Sequence, residues 1–161
     1  MARFVIIILV LVLILFGIYL LRVKEKSQPE ENFLTIKVFF GNSKLNSQVE
    51  DCRITYPLGR KIVKTKAVAR MALEELLKGP TADEKEQGYF TSINPGVKIQ
   101  KLNIGNGIAK VDFDEQLEFQ VGGSCRVAAI RAQIVQTLKQ FPTVKDAVIS
   151  INGRTEDILQ P

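Results

Sequence analysis

The sequence predicts an α+β protein: an N-terminal transmembrane helix, then one small domain with two main helices packed on one face of a mixed 3–5-stranded sheet. Three observations carry this. Phe4–Leu21, FVIIILVLVLILFGIYLL, is a run of 18 residues without a charge. Residues 65–78 and 122–141 repeat apolar side chains at intervals of three and four, the period of a helix with one buried stripe. The other apolar runs are short, rich in β-branched and aromatic residues, and bounded by Gly, Pro and Asn, as strands are.

The N-terminal run comes first. At about 1.5 Å per residue it spans about 27 Å as a helix, close to the ~30 Å hydrocarbon core of a bilayer. A cleaved signal peptide would have a shorter apolar run ending in small residues, whereas this one ends Tyr19-Leu20-Leu21-Arg22. A lipoprotein signal would have a cysteine just behind the run, and the first cysteine is Cys52. Residues 4–21 therefore read as an uncleaved single-pass anchor whose partner is the lipid bilayer, with residues 1–3 as a flank and 22–32 as a polar tether. Arg3 lies on one side of it and Arg22, Lys24 and Lys26 on the other, so counting positive charges does not orient it. Cys52 and Cys125 are the only cysteines. One such pair outside the cytoplasm usually forms a disulfide, and two separate buried thiols are the other reading. The disulfide is the expectation, which places the C-terminal domain outside the cytoplasm.

The formal charge of +5, from 22 Lys and Arg against 17 Asp and Glu, misleads. Four of the basic residues (Arg3, Arg22, Lys24, Lys26) and one acidic residue (Glu25) flank the anchor, leaving 18 against 16, or +2, elsewhere. A domain so weakly charged gives no case for nucleic acid, which wants a basic stripe. The basic residues beside the anchor suit lipid headgroups.

The domain, 33–153, opens with Phe33–Phe40, FLTIKVFF, as a strand, followed by a polar loop, Gly41–Asp51. Residues 53–56 and 61–63 flank a Pro57-Leu58-Gly59 break and predict a short or bent edge segment. A helix follows over 65–78, its broad apolar face including Val68, Ala72, Leu73 and Leu76, with Arg70, Glu74 and Lys78 spaced four apart to pair. Gly79-Pro80 ends it, and Thr81 with Glu84 matches a capping box for a short turn of helix. Val97–Ile104 and Ile108–Phe113, joined through Gly105-Asn106-Gly107, are the strongest hairpin signal, with a bulge expected near Lys101. The second long helix occupies Gly122–Phe141, capped by Ser124 and stopped by Pro142, with Val127, Ile130, Ile134, Leu138 and Phe141 as its stripe. Asp146–Ile151 is the last strand, and 154–161 a tail whose Ile158 and Leu159 dock.

Several of these stretches occur in a recognisable order: ALEELLKGPT (72–81), the turn before Val97, GIAKVDF (107–113) and IRAQIVQTLKQFPTVKDAVISINGR (130–154). Together they resemble the sporulation and spore germination domain called GerMN, over residues 36–153. The resemblance implies a bacterial envelope protein with a small α/β domain outside the membrane and a fold similar to the ring-building domains of secretion-type assemblies. It carries no catalytic residue onto this chain. Where the family's common layouts have a tandem pair or a lipidated cysteine, this chain has one copy and an apolar segment.

Candidate sites remain to be weighed. The chain has no histidine, which excludes Ser-His-Asp and Cys-His nucleophiles and histidine-bound zinc within it. No cofactor or metal is expected, and no catalytic centre. Gly123, Ser124 and Arg126, at a helix start, are a candidate anion site, and a turn with an N-cap accounts for them equally well. Asp112, Asp114 and Glu115, with Glu118, form an acidic cluster that a cell-wall glycan hydrolase, or a module binding glycan or peptide, could use; solvated charges at a strand end are the plainer reading. Gln133, Gln136, Thr137 and Gln140 lie opposite the stripe of the second helix, and uncharged amides there predict a protein interface, with envelope proteins or a second copy as partner. Glutamine is also simply a good helix former. The function expected is that of a non-catalytic, membrane-anchored scaffold or binding module.

Overall fold

The computed structural model describes residues 11–19, 32–48 and 51–160. They fall in two units that divide after Asn32. In the first, residues 11–19 are α-helical, with Leu11–Phe16 exposed. The remainder of the expected anchor, and the tether as far as residue 31, lie outside the described residues. Among the described residues no helix is long and apolar enough to cross a membrane.

The second unit starts with β1, Phe33–Asn42, whose alternation sends Ile36, Val38 and Phe40 inward and Thr35 and Lys37 outward. Strand β2, Tyr56–Val63, pairs with it antiparallel along its whole length, from Phe33↔Val63 to Phe40↔Tyr56. The expected break at Pro57-Leu58-Gly59 is thus absent and the strand runs through it. β2 is the outer strand of its sheet, so the missing N–H of Pro57 costs no ladder bond. Helix α1, Val68–Leu77, starts three residues later than predicted and buries Ala72, Leu73 and Leu76. Arg70 and Glu74 pair at 2.9 Å, but Lys78 turns to Glu75 instead. Helix α2, Ala82–Glu86, has the expected capping box: the Thr81 N–H donates to Glu84 Oε2 and the Glu84 N–H to Thr81 Oγ1.

Strand β3, Tyr89–Phe90, was not legible in the sequence; it pairs with β1 at Gly41 and Asn42. The hairpin of β4, Ile99–Gly105, and β5, Ile108–Phe113, turns at Asn106 and Gly107, with φ of 51° and 80°. Both must be positive in the tight turn whose twist matches the strands, and Asn-Gly takes that backbone most readily. The register slips between Ile99 and Lys101, the bulge the change of phase predicted. A 3₁₀ turn, Glu115–Leu117, buries Leu117, then α3, Ser124–Lys139, crosses over to β6, Asp146–Ile151. β6 lies parallel to β5, a pairing that needs a crossover, which α3 supplies.

The single mixed sheet must be corrected. The described residues form two three-stranded sheets, ordered β2-β1-β3 and β4-β5-β6. Helix α3 packs on β1 and on β6, and α1 packs on β1 and on α3. The physical reason lies in the edge of β1 that faces away from β2. Among the described residues no strand continues the sheet there beyond Gly41 and Asn42. Instead Gln140 takes the Lys37 N–H on its Oε1 (2.8 Å) and donates Nε2 to the Lys37 carbonyl (2.6 Å), while Thr137 Oγ1 accepts the Phe39 N–H at 3.2 Å. Helix side chains thus stand where a neighbouring strand would, and cover an edge that would otherwise be open to pairing with another chain.

The core gathers Val38 and Phe40, Leu73 and Leu76, Val111 and Phe113, and Ile130, Ile134 and Leu138, all fully buried. Burying each large side chain contributes about 1.5–3 kcal/mol. The tail docks as expected, with Ile158 and Leu159 buried. Arg131 Nη2 donates to the Ile158 carbonyl, and Glu118 accepts from both Arg154 and the Leu159 N–H.

Candidate functional site

Where the loop after β1 meets the start of α3, the second unit has a pocket of about 590 Å³. The loop is pinned at its root. Buried Asn42 accepts the N–H groups of Lys44 and Leu45 on Oδ1, an Asx turn, and donates Nδ2 to the Gln87 carbonyl. Ser43 N–H bonds the Gly88 carbonyl at 2.9 Å. Further along, Asp51 and Arg53 pair at 2.9 Å; the guanidinium holds the Asp51 carboxyl below its ordinary pKa, in a solvent-exposed setting where this adds little stability.

The loop is then tied to the helix. Cys52 and Cys125 form a disulfide with their Cα atoms 5.3 Å apart, so the expected pairing stands. It joins residues 73 positions apart and forms one wall of the pocket, beside Ile54 and Ala129. Phe90, 45% exposed, forms another. The tip of its ring meets Gly41: a Cβ built there would stand 2.4 Å from Cζ, so any other residue would have to displace the ring.

The residues expected to bind an anion are at the pocket rim, in altered roles. Gly123, with φ of 85°, is the N-cap itself, and Ser124 is the first helical residue and caps nothing. Arg126 donates to Asn94 Oδ1 at 2.7 Å, to the Gln120 carbonyl at 3.2 Å and to the Ser92 carbonyl at 3.5 Å. Asn94 in turn donates to the carbonyls of Gln116 and Phe119. Arg126 therefore clamps the two loops before α3. Its three acceptors are neutral, and among the described residues no carboxylate lines the pocket.

The expected interface on α3 is corrected by burial. Gln133 and Thr137 are fully buried and Gln140 is spent on Lys37; only Gln136 points to solvent. The absence of charge on this face marks an interior, since an uncharged amide can be buried when hydrogen-bonded and a charge cannot. Gln133 is the incomplete case. Its Oε1 accepts from Thr91 Oγ1 at 2.8 Å, and Thr91 Oγ1 accepts the Ile93 N–H. With the Thr91 hydroxyl donating to it, Oε1 is satisfied and Nε2 is turned away from Thr91. Nε2 is the one buried side-chain polar atom among the described residues without a partner. Such a donor costs about 1–3 kcal/mol. No feature of the sequence singled out Gln133 from its neighbours, because the partners that isolate its amide come from β3 and the chain after it.

The acidic cluster is dispersed. Asp112 accepts from Ser150 Oγ and the Gly153 N–H, Asp114 from the Lys98 N–H, and Glu118 is paired with Arg154. Asp112 opens on one shallow recess, Asp114 and Glu115 on another. Among the described residues no three of His, Cys, Asp and Glu gather as metal ligands would.

Two small sheets joined by one helix, with a disulfide-walled pocket at the start of that helix, define the class: a small α+β domain with one cross-link. The chain belongs to the sporulation and spore germination family, whose family model matches residues 37–157. Three solved structures share the fold. The tandem GerMN domains of the sporulation protein GerM from Bacillus subtilis align at 23% identity and a TM-score of 0.61, over 83% of this chain and 43% of that one. The first GerMN domain of the same protein aligns at 18% identity and a TM-score of 0.55, over 76% and 85%. A predicted lipoprotein from Clostridium perfringens aligns at 13% identity and a TM-score of 0.51, over 83% and 85%. This chain thus spans less than half of the tandem structure. No curated protein matches it by sequence.

Proposed function

We propose that this chain is a non-catalytic domain of the bacterial cell envelope, held by a single membrane span outside the cytoplasm, where it binds or scaffolds other envelope components. The disulfide between Cys52 and Cys125 carries this reading, because such bridges persist on the oxidising side of a membrane. The uncharged run Phe4–Leu21 supports the anchor. Family membership supports the setting, as do relatives described as a sporulation protein and a lipoprotein. The dispersal of Asp112, Asp114 and Glu115 supports binding over hydrolysis.

The test is made in intact cells expressing the full chain. A membrane-impermeant maleimide is expected to label the two cysteines only after an impermeant reductant is added, and the chain to stay with membranes through an alkaline carbonate wash. Labelling that never occurs from outside would refute the topology. Release by carbonate would refute the span.

A further inference from the structure

We infer that the pocket beside the disulfide is a ligand site for a small carboxylate with an apolar body, its acceptor oxygen taken by Gln133 Nε2. Two independent observations meet there. The first is the orphaned donor: Gln133 is fully buried, lines the pocket, and holds its Oε1 to Thr91 so that Nε2 has no acceptor. Buried polar groups are nearly always bonded, and an exception on a residue that lines a cavity is where a ligand's acceptor belongs. The second is the start of α3, a helix of 16 residues, at the rim. Its N-cap, Gly123, offers no side chain to the first N–H groups, which a helix leaves open and which favour an anion.

Charge decides the class. Arg126 is the one ionised group among the described lining residues, and its donors go to neutral acceptors, so among the described residues one positive charge stands there without a counter-ion. A carboxylate brings one negative charge to match it. A phosphate brings nearly two and would find no second cation there. The remaining walls set the body of the ligand. The disulfide, Ile54, Phe90 and Ala129 are apolar, and about 590 Å³ is within the range of small-molecule sites, room for about two amino-acid residues.

The experiment is NMR titration of the ¹⁵N-labelled full chain in neutral detergent micelles. Acetyl-alanyl-alanine serves as a peptide chain end and hexanoate as a free acid, with acetyl-alanyl-alanine amide as the uncharged control. At least one acid is expected to shift the Gln133 side-chain NH₂ and the N–H signals of residues 123–126 saturably, the amide binding roughly tenfold more weakly or less. Whichever acid binds identifies the source of the carboxylate. Gln133→Leu removes the donor and keeps the volume; it is expected to weaken the acid roughly tenfold while the chain melts no lower. Equal binding of acid and amide, an unchanged affinity in Gln133→Leu, or no shift from either acid to saturation of the solution overturns the assignment. Should that variant fail to fold, the NH₂ signal of the unsubstituted chain decides alone. Because the titration reads the purified chain, its failure leaves the membrane topology intact, and failure of the topology leaves the site intact.

Discussion

Thr137 is where burial and exposure on α3 can be weighed against each other most directly. Thr137→Val keeps the shape of a fully buried side chain and removes one oxygen, the acceptor of the Phe39 N–H on the covered edge of β1. The N–H is then stranded, at about 1–3 kcal/mol, while the added methyl returns less than about 1 kcal/mol of apolar burial. The net is a loss of about 1–2 kcal/mol. For a domain of about 130 residues each kcal/mol lowers Tm by roughly 3–4 °C, so the melt should fall by roughly 3–8 °C. Gln136→Ala, on the exposed side of the same helix, should stay within about 0.5 kcal/mol of the parent. Urea and thermal unfolding followed by circular dichroism measure both. If Thr137→Val proves neutral, or Gln136→Ala costs as much, α3 does not serve as the missing strand and the account of the two sheets fails.

Three further outcomes follow from other parts of the structure. Replacing both Cys52 and Cys125 with serine opens a cross-link over 73 residues, and should cost up to about 4 kcal/mol by the chain-entropy estimate, read as a lower urea midpoint; an unchanged midpoint would show the bond to be incidental. Arg60 on β2 pairs with Glu84 on α2 through two bonds, Nη2 to Oε2 at 2.6 Å, and this hydrogen bonding holds the Glu84 carboxyl below its ordinary pKa. A carboxyl depressed by folding stabilises fully above its unfolded pKa of about 4.3 and loses that contribution as pH falls further; stability measured from pH 6 to pH 3 should therefore drop less in Arg60→Met than in the parent. Ending the chain at Gly153 strips buried Ile158 and Leu159 from the core, and should lower stability by about 3–5 kcal/mol, seen as a lower melting temperature; an unshifted melt would show that the tail adds nothing.

The elements that could be read in advance are those specified by neighbours along the chain. The Asn106-Gly107 turn, the Thr81–Glu84 capping box, the bulge beside Gln100 and the strand Asp146–Ile151 each depend on backbone preferences within a few residues. Where prediction went astray, distant partners intervened. Pro57 sits inside a strand because β1 lies on one side of it and solvent on the other. Ser124 caps nothing because Gly123 already occupies that position. β3 is two residues long and too short to show a period, yet its Phe90 forms a wall of the pocket.

The sequence by itself determined the types of the main elements, the apolar stripe of α3 and the family, and made a bond between the only two cysteines the expectation, since each rests on local preference, composition or ordered motifs. Tertiary structure alone decided that the amides of α3 face inward and that one of them, Gln133, is left with a free donor beside a pocket. Polarity is written into a residue, but whether that polarity meets water, a strand edge or nothing depends on what the rest of the chain brings against it.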